Sequence, residues 1–187
     1  MTSDSKVFLV RHGEAAASWA QSADPGLSVL GQQQADQTAE RLRAELAGVP
    51  VRLVSSPLLR AQETAAPLAG LLGSVVEIDP RFREIPSSVP LSERQDWLRE
   101  FMRGNWAGQP DALLQWRQEL LEGIRSLPGN SVVFTHFLVI NSIVGHCQES
   151  HKTLVCWPDN ASVTTLWNDG QTLRVDELGA QMATVVN

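Results

Sequence analysis

Arg11-His12-Gly13-Glu14 follows directly on the apolar run Val7-Phe8-Leu9-Val10, so a guanidinium and an imidazole leave together from one end of a candidate buried strand. Open α/β sheets bind ligands just beyond the carboxyl ends of their strands. Imidazole is a nucleophile and proton carrier near neutral pH, and guanidinium is a planar fork that grips phosphate oxygens through two bonds. Two more strand exits carry related groups: Ser56-Pro57-Leu58-Leu59-Arg60 after Val51-Arg52-Leu53-Val54, and Thr135-His136 after Ser131-Val132-Val133-Phe134. Taken singly, each reads as a loop residue, a solvated arginine or a helix cap. Basic groups at three exits together describe a pocket for an oxyanion.

The elements that must position these groups alternate strand and helix. Short apolar runs predict strands over 6–10, 51–54, 75–78 and 131–134. Ala35, Ala39, Leu42 and Leu46 give a helix over 29–47 one apolar stripe, and Gly48 and Pro50 stop it. Ser56 as N-cap and Pro57 in the first turn open a second helix with Ala61, Ala65, Leu68 and Leu72 on one face. Pro67 inside that pattern predicts a kink or a split. Ser92 and Gln95 form a capping-box signature before Trp97, Leu98, Phe101 and Met102. Asp111 is expected to cap a longer helix that turns Leu113, Leu120, Ile124 and Leu127 inward, and another helix is expected over 138–147. Ala161 to Trp167 and Thr172 to Val175, joined by Asn168-Asp169-Gly170, read as a hairpin. The fold class is therefore α/β: a three-layer sandwich with a mostly parallel mixed sheet, an antiparallel edge strand and helices on both faces.

No repeat or break in composition divides the 187 residues, so one domain over 1–187 is expected, with 84–110 as an overhanging cap. Apolar residues at 43% and charged residues at 19% suit a packed globular chain. A net charge of -6 without a Lys/Arg block argues against a nucleic-acid partner. The polar segment Met1 to Lys6 and the four-residue apolar run behind it suggest neither a signal peptide nor a membrane span. Cys147 and Cys156 are too few for a disulfide framework and lack the companions of a zinc site, so both are expected reduced, in a cytoplasmic setting.

Arg11-His12-Gly13-Glu14, Leu27-Ser28-Val29-Leu30-Gly31-Gln32-Gln33-Gln34-Ala35, Ser55-Ser56-Pro57-Leu58-Leu59-Arg60-Ala61 and Thr135-His136 occur in one order along nearly the whole chain. In that combination the sequence resembles the histidine phosphatase superfamily, also called the phosphoglycerate mutase-like proteins. The resemblance implies that His12 is a nucleophile forming a phosphohistidine, and that Arg11, Arg60 and His136 hold the phosphoryl group. It implies no metal and no cofactor, because protein cations supply the charge that magnesium supplies elsewhere. It places the general acid on Glu84, in Arg81-Phe82-Arg83-Glu84-Ile85, with a surface salt bridge to Arg81 or Arg83 as the plainer reading and Glu14 and Glu77 as competitors. Gly13 is expected to keep the backbone thin beside the ring, and Ser28 and Gly31 to serve capping and close packing.

The chain also departs from the pattern. Ser18 stands where many members carry an asparagine and is expected to replace part of its phosphate contact. Phe137-Leu138 replaces a usual glycine pair, with Phe137 expected to wall the pocket, and Asn141 stands where an arginine is frequent. Ser162 or Asn160 could orient the pocket from the late strand entry. Arg94, Arg99 and Arg103 in the cap could meet an anionic substrate, whereas Trp97 and Trp106 read more simply as core aromatics. His146 and His151 have no such placement. The expected activity is a metal-independent phosphomonoester hydrolase acting on a small phosphorylated metabolite or a phosphoprotein. A phosphoglycerate mutase, a protein phosphohistidine phosphatase and a non-catalytic phosphate-binding module are the alternatives.

Overall fold

The computed structural model describes residues 4–17 and 22–183. Six strands form one sheet: β1 (Ser5–Arg11), β2 (Arg52–Ser55), β3 (Val76–Ile78), β4 (Ser131–Thr135), β5 (Val163–Asn168) and β6 (Leu173–Glu177), in the order β3-β2-β4-β1-β5-β6. The first four in that order run parallel, and β5 and β6 add antiparallel neighbours beyond β1. The α/β sandwich is as the patterning implied, with two antiparallel strands at one side.

Alternation along the central strands explains the layers. Val7 and Leu9 face one side of the sheet, with Val133, Ile124, Leu138 and Ile143; Phe8 and Val10 face the other, with Leu42, Leu53, Leu68 and Phe134. The first side is covered by α3 (Arg94–Arg103), α4 (Asp111–Arg125) and α5 (Phe137–Cys147), the second by α1 (Val29–Glu45) and α2 (Leu59–Leu72). Every residue of β4 is buried, as a strand with helices on both faces requires. Among the described residues no helix is long and apolar enough to cross a membrane.

Three helix starts depart from expectation. Ser28 does cap α1, its Oγ accepting from the Gly31 N–H at 3.0 Å. The cap of α2 is Leu58, not Ser56, and Pro67 leaves α2 as one continuous helix. A 3-10 turn at Leu91–Glu93 precedes α3, whose cap Glu93 makes no side-chain bond, so the Ser92–Gln95 box does not form. Asp111 is the first residue of α4 rather than its cap, and there its carboxylate suits the positive end of the helix dipole.

Candidate active site

Strand order brings the three exits side by side, because β4 lies between β1 and β2. Arg11 pairs with Thr135 and Ser55 with Phe134. The ladder continues past the strand ends: the His12 N–H donates to Thr135 O and the Ser56 N–H to Phe134 O, each at 3.0 Å. His12, Ser56 and His136 are thereby set on adjacent chains at one edge. Gly13 explains how the His12 loop packs on α1, since a Cβ there would lie 2.5 Å from the Gly31 carbonyl oxygen. Gly31 is needed in return, because its own Cβ would run into the Glu14 carbonyl. Thr64 ties the loop to α2, its Oγ1 accepting from the Gly13 N–H and donating to Arg60 O.

His12 is 4% exposed. Its Nδ1 lies 2.7 Å from Gly13 O, and a carbonyl only accepts, so the proton sits on Nδ1. The lone pair is then on Nε2, toward which Arg60 Nε donates at 3.2 Å. Burial, then the Arg60 charge, brings His12 down to about 3, which keeps the imidazole neutral and nucleophilic. His136 is fully buried, with its ring centroid 5.3 Å from that of His12. Burial above all, then His12 and the Arg60 and Arg11 charges, hold it well below the ordinary histidine value.

Ser56, read from sequence as a helix cap, instead meets this ring: its Oγ lies 2.7 Å from His136 Nε2 and accepts from the Leu58 N–H at 3.2 Å. If Oγ donates to Nε2, every partner of the hydroxyl is used and His136 Nδ1 carries a proton. That Nδ1 is buried and has no partner among the described residues, so in this tautomer its N–H is unpaired. The missed signal was the pairing of Ser56 with the exit of the neighbouring strand.

Glu84 is 5% exposed and does not pair with Arg81 or Arg83. Arg81 pairs with Asp79, Glu77 with Arg52, and Glu14 Oε1 accepts from the Ser28 hydroxyl, so these alternatives are engaged elsewhere. The backbone just before Glu84 is pinned twice: Thr135 Oγ1 donates to Phe82 O and Trp116 Nε1 to Arg83 O. Oε1 accepts from the Ile85 N–H, while Oε2 is buried and without a hydrogen-bond partner among the described residues. Burial raises the carboxyl above its ordinary range, against the Ile85 N–H bond and the Arg60 charge. Arg60 and Glu84 together line a cavity of about 210 Å³ beside His12.

Arg11 leaves β1 toward the last loops. Its Nη1 donates to Pro158 O at 2.8 Å, its Nε is buried without a partner among the described residues, and its guanidinium lies 5.2 Å from the Phe137 ring centroid. Phe137 packs in turn on Trp157 and lies against the Arg11 guanidinium. Ser162 is buried with an unpartnered Oγ, and its carbonyl accepts from the Arg11 N–H; Asn160 bonds through its backbone to Asp159. Ser18 lies outside the described residues. Asn141 is structural: its Oδ1 accepts from the N–H groups of Val155 and Cys156. Trp97 and Trp106 pack on either side of Phe101, as core aromatics. Of the three cap arginines, Arg94 lines the cavity, Arg99 pairs with Asp96, and Arg103 is exposed.

Comparison with known proteins decides the family. The model of the histidine phosphatase superfamily (branch 1) matches residues 7–181. The chain belongs to that superfamily. Relatives of this histidine phosphatase-family chain include a PE-PGRS family protein of Mycobacterium tuberculosis, 41% identical over 88 residues, which are 44% of this chain and only 15% of that protein. A probable phosphoglycerate mutase GpmB of Erwinia tasmaniensis is 30% identical over 176 residues, 83% of this chain and 77% of that one. Among solved structures, a mycobacterial glucosyl-3-phosphoglycerate phosphatase in complex with inorganic phosphate superposes with a TM-score of 0.69 at 25% identity, covering 95% of this chain and 98% of the other.

Proposed function

We propose that this chain hydrolyses phosphomonoesters through phospho-His12, without a metal. The observation that carries the reading is the neutral His12, with Nδ1 held by Gly13 O and the Nε2 lone pair facing Arg60 beside a buried carboxyl. Nε2 attacks phosphorus while Arg60, Arg11 and His136 stabilise the three equatorial oxygens. As the bond from phosphorus to the leaving oxygen breaks, Glu84 gives that oxygen its proton. Water then enters; the Glu84 carboxylate takes its proton, the hydroxide oxygen bonds to phosphorus, and the N–P bond breaks. Inorganic phosphate, neutral His12 and protonated Glu84 are regenerated.

Residues 84–110 act in this reading as the cap over the leaving group, with Glu84, Ile85, Pro86 and Arg94 at the cavity wall. The substrate is a small phosphorylated metabolite, and the family's phosphate-bound relative supports that head group. A cytoplasmic, reducing setting suits the two free cysteines, whose thiols burial pushes up to about 11 at Cys147 and about 12 at Cys156. The mutase reading draws support from the relatives named as probable phosphoglycerate mutases.

The test is turnover of p-nitrophenyl phosphate in excess chelator. Sustained release that His12→Ala abolishes supports the hydrolase. Release that survives His12→Ala contradicts the covalent route, and loss of release with chelator contradicts metal independence. Interconversion of phosphoglycerates without net phosphate release establishes the mutase instead.

A further inference from the structure

Arg11 is held by the last residues described. Residues 180–182 are stitched onto 157–159, where Pro158 and Gln181 form an antiparallel bridge. The Asp159 N–H donates to Ala180 O at 2.8 Å, the Trp157 N–H to Gln181 Oε1 at 2.6 Å and the Met182 N–H to Trp157 O at 2.7 Å. That register sets Met182 Sδ 3.0 Å from Arg11 Nη1, which also donates to Pro158 O at 2.8 Å. Both Nη1 protons are thereby used within the protein, one of them on a thioether, which is a weak acceptor. Met182 is half-buried between the exposed Gln181 and Ala183, so a small solute reaches its side chain. The other described sulfurs are placed differently. Burial pushes the thiols of Cys147 and Cys156 up to about 11 and about 12, and the thiolate is the form that oxidises. Met102 packs against the core. A thioether needs no ionisation to react.

We propose that Met182 is a modification site for hydrogen peroxide, and that its sulfoxide draws Arg11 off the phosphoryl group. This rests on the phosphomonoesterase reading above, in which Arg11 grips the phosphoryl oxygens. A sulfur lone pair attacks one peroxide oxygen, the S–O bond forms as the O–O bond breaks, and the other oxygen leaves as water with both protons. Sulfur gives up two electrons and the peroxide takes them. The product is a polar, chiral side chain that sulfoxide reductases return to methionine. Its oxygen is a strong acceptor where the thioether was a weak one, and it arises against the guanidinium that the phosphoryl group needs. The two then compete for the same N–H donors. Met182 acts through Arg11, as a positioning residue.

The experiment treats the protein with hydrogen peroxide, quenches with catalase, and maps added oxygen by peptide mass spectrometry. Each protein is read as treated over untreated kcat/KM for p-nitrophenyl phosphate, and phosphate affinity is measured by calorimetry. In the wild type kcat/KM is expected to fall about tenfold, the worth of one hydrogen bond to a charged group, chiefly through KM and in step with sulfoxide at Met182. The two methionine sulfoxide reductases with dithiothreitol restore it. Met182→Leu keeps its own untreated value after peroxide, Met102→Leu falls as the wild type does, and Met182→Gln, an oxygen acceptor in the same place, has a raised KM without peroxide. Sulfoxide at Met182 with unchanged kcat/KM, an equal loss in Met182→Leu, or oxygen on Met102 with none on Met182 overturns the proposal. If the untreated, folded wild type turns over no ester, the phosphatase reading falls instead. Calorimetry then still decides: phosphate affinity unchanged by oxidation of Met182 overturns the modification site, and a loss of about tenfold confined to proteins with Met182 supports it.

Discussion

Replacing Glu84 with glutamine removes one proton and little else. The Ile85 N–H bond to Oε1 at 3.0 Å has an equivalent in the amide oxygen, and the amide nitrogen takes the place of the unpartnered Oε2. Packing around a residue 5% exposed is kept. What disappears is the acid for the leaving oxygen and the base for the water. A positioned acid or base contributes about 10²–10⁴ in rate, or about 2.7–5.4 kcal/mol at 1.36 kcal/mol per tenfold. An alkyl phosphate needs that acid in its first step and is expected to lose the full factor. A nitrophenyl leaving group departs without a proton, so its first step survives and only the water step slows. Stopped-flow with Glu84→Gln should show a burst of about one nitrophenolate per site, then slow turnover, and no burst with an alkyl ester. Equal losses in the first turnover of both esters, or unchanged turnover of the alkyl ester, would refute Glu84 as the acid.

Three further outcomes follow from the same contacts. Gly31→Ala drives its Cβ into the Glu14 carbonyl, so a loss of about 1–3 kcal/mol is expected, seen as a fall of roughly 2–4 °C in Tm per kcal/mol; an unchanged Tm contradicts the close approach. Ser56→Ala strips the His136 ring of its partner and should cost about 1–3 kcal/mol of stability and lower kcat, with Ser56→Thr recovering part. Stability should also fall below about pH 6.5. There the unfolded chain protonates His12 and His136 while the folded one, with His12 at about 3, does not. Glu84 acts in the opposite sense, its raised carboxyl keeping a proton that the unfolded chain has lost. Two such histidines outweigh one carboxyl, so a net loss of stability is expected from pH 6.5 to 5.5 in urea unfolding, steeper in Glu84→Gln. Stability that rises over that interval refutes the buried neutral histidines.

The strands were legible because burial on two faces leaves uninterrupted apolar runs, as in Val132-Val133-Phe134, and their exits carry the chemistry in plain order. Caps were less legible, because a hydroxyl has several possible partners and sequence does not rank them. Ser56 spends its Oγ on His136 and on the N–H of the cap residue Leu58 rather than on an N–H inside α2. Pro67 predicts a kink or a split because it removes one helical bond; the split does not occur, since the packing of α2 on β2 and α1 carries the helix through. The Phe137 ring, at the start of α5, packs against the Arg11 guanidinium at the end of β1 and against Trp157, a contact that only the closed fold brings together.

The covalent intermediate is the most direct test. Turnover of p-nitrophenyl phosphate by Glu84→Gln, quenched in alkali and mapped by tandem mass spectrometry, should show a phosphoryl adduct on His12, absent from the His12→Ala protein. Turnover with no adduct, or with the adduct on another residue, would contradict the account.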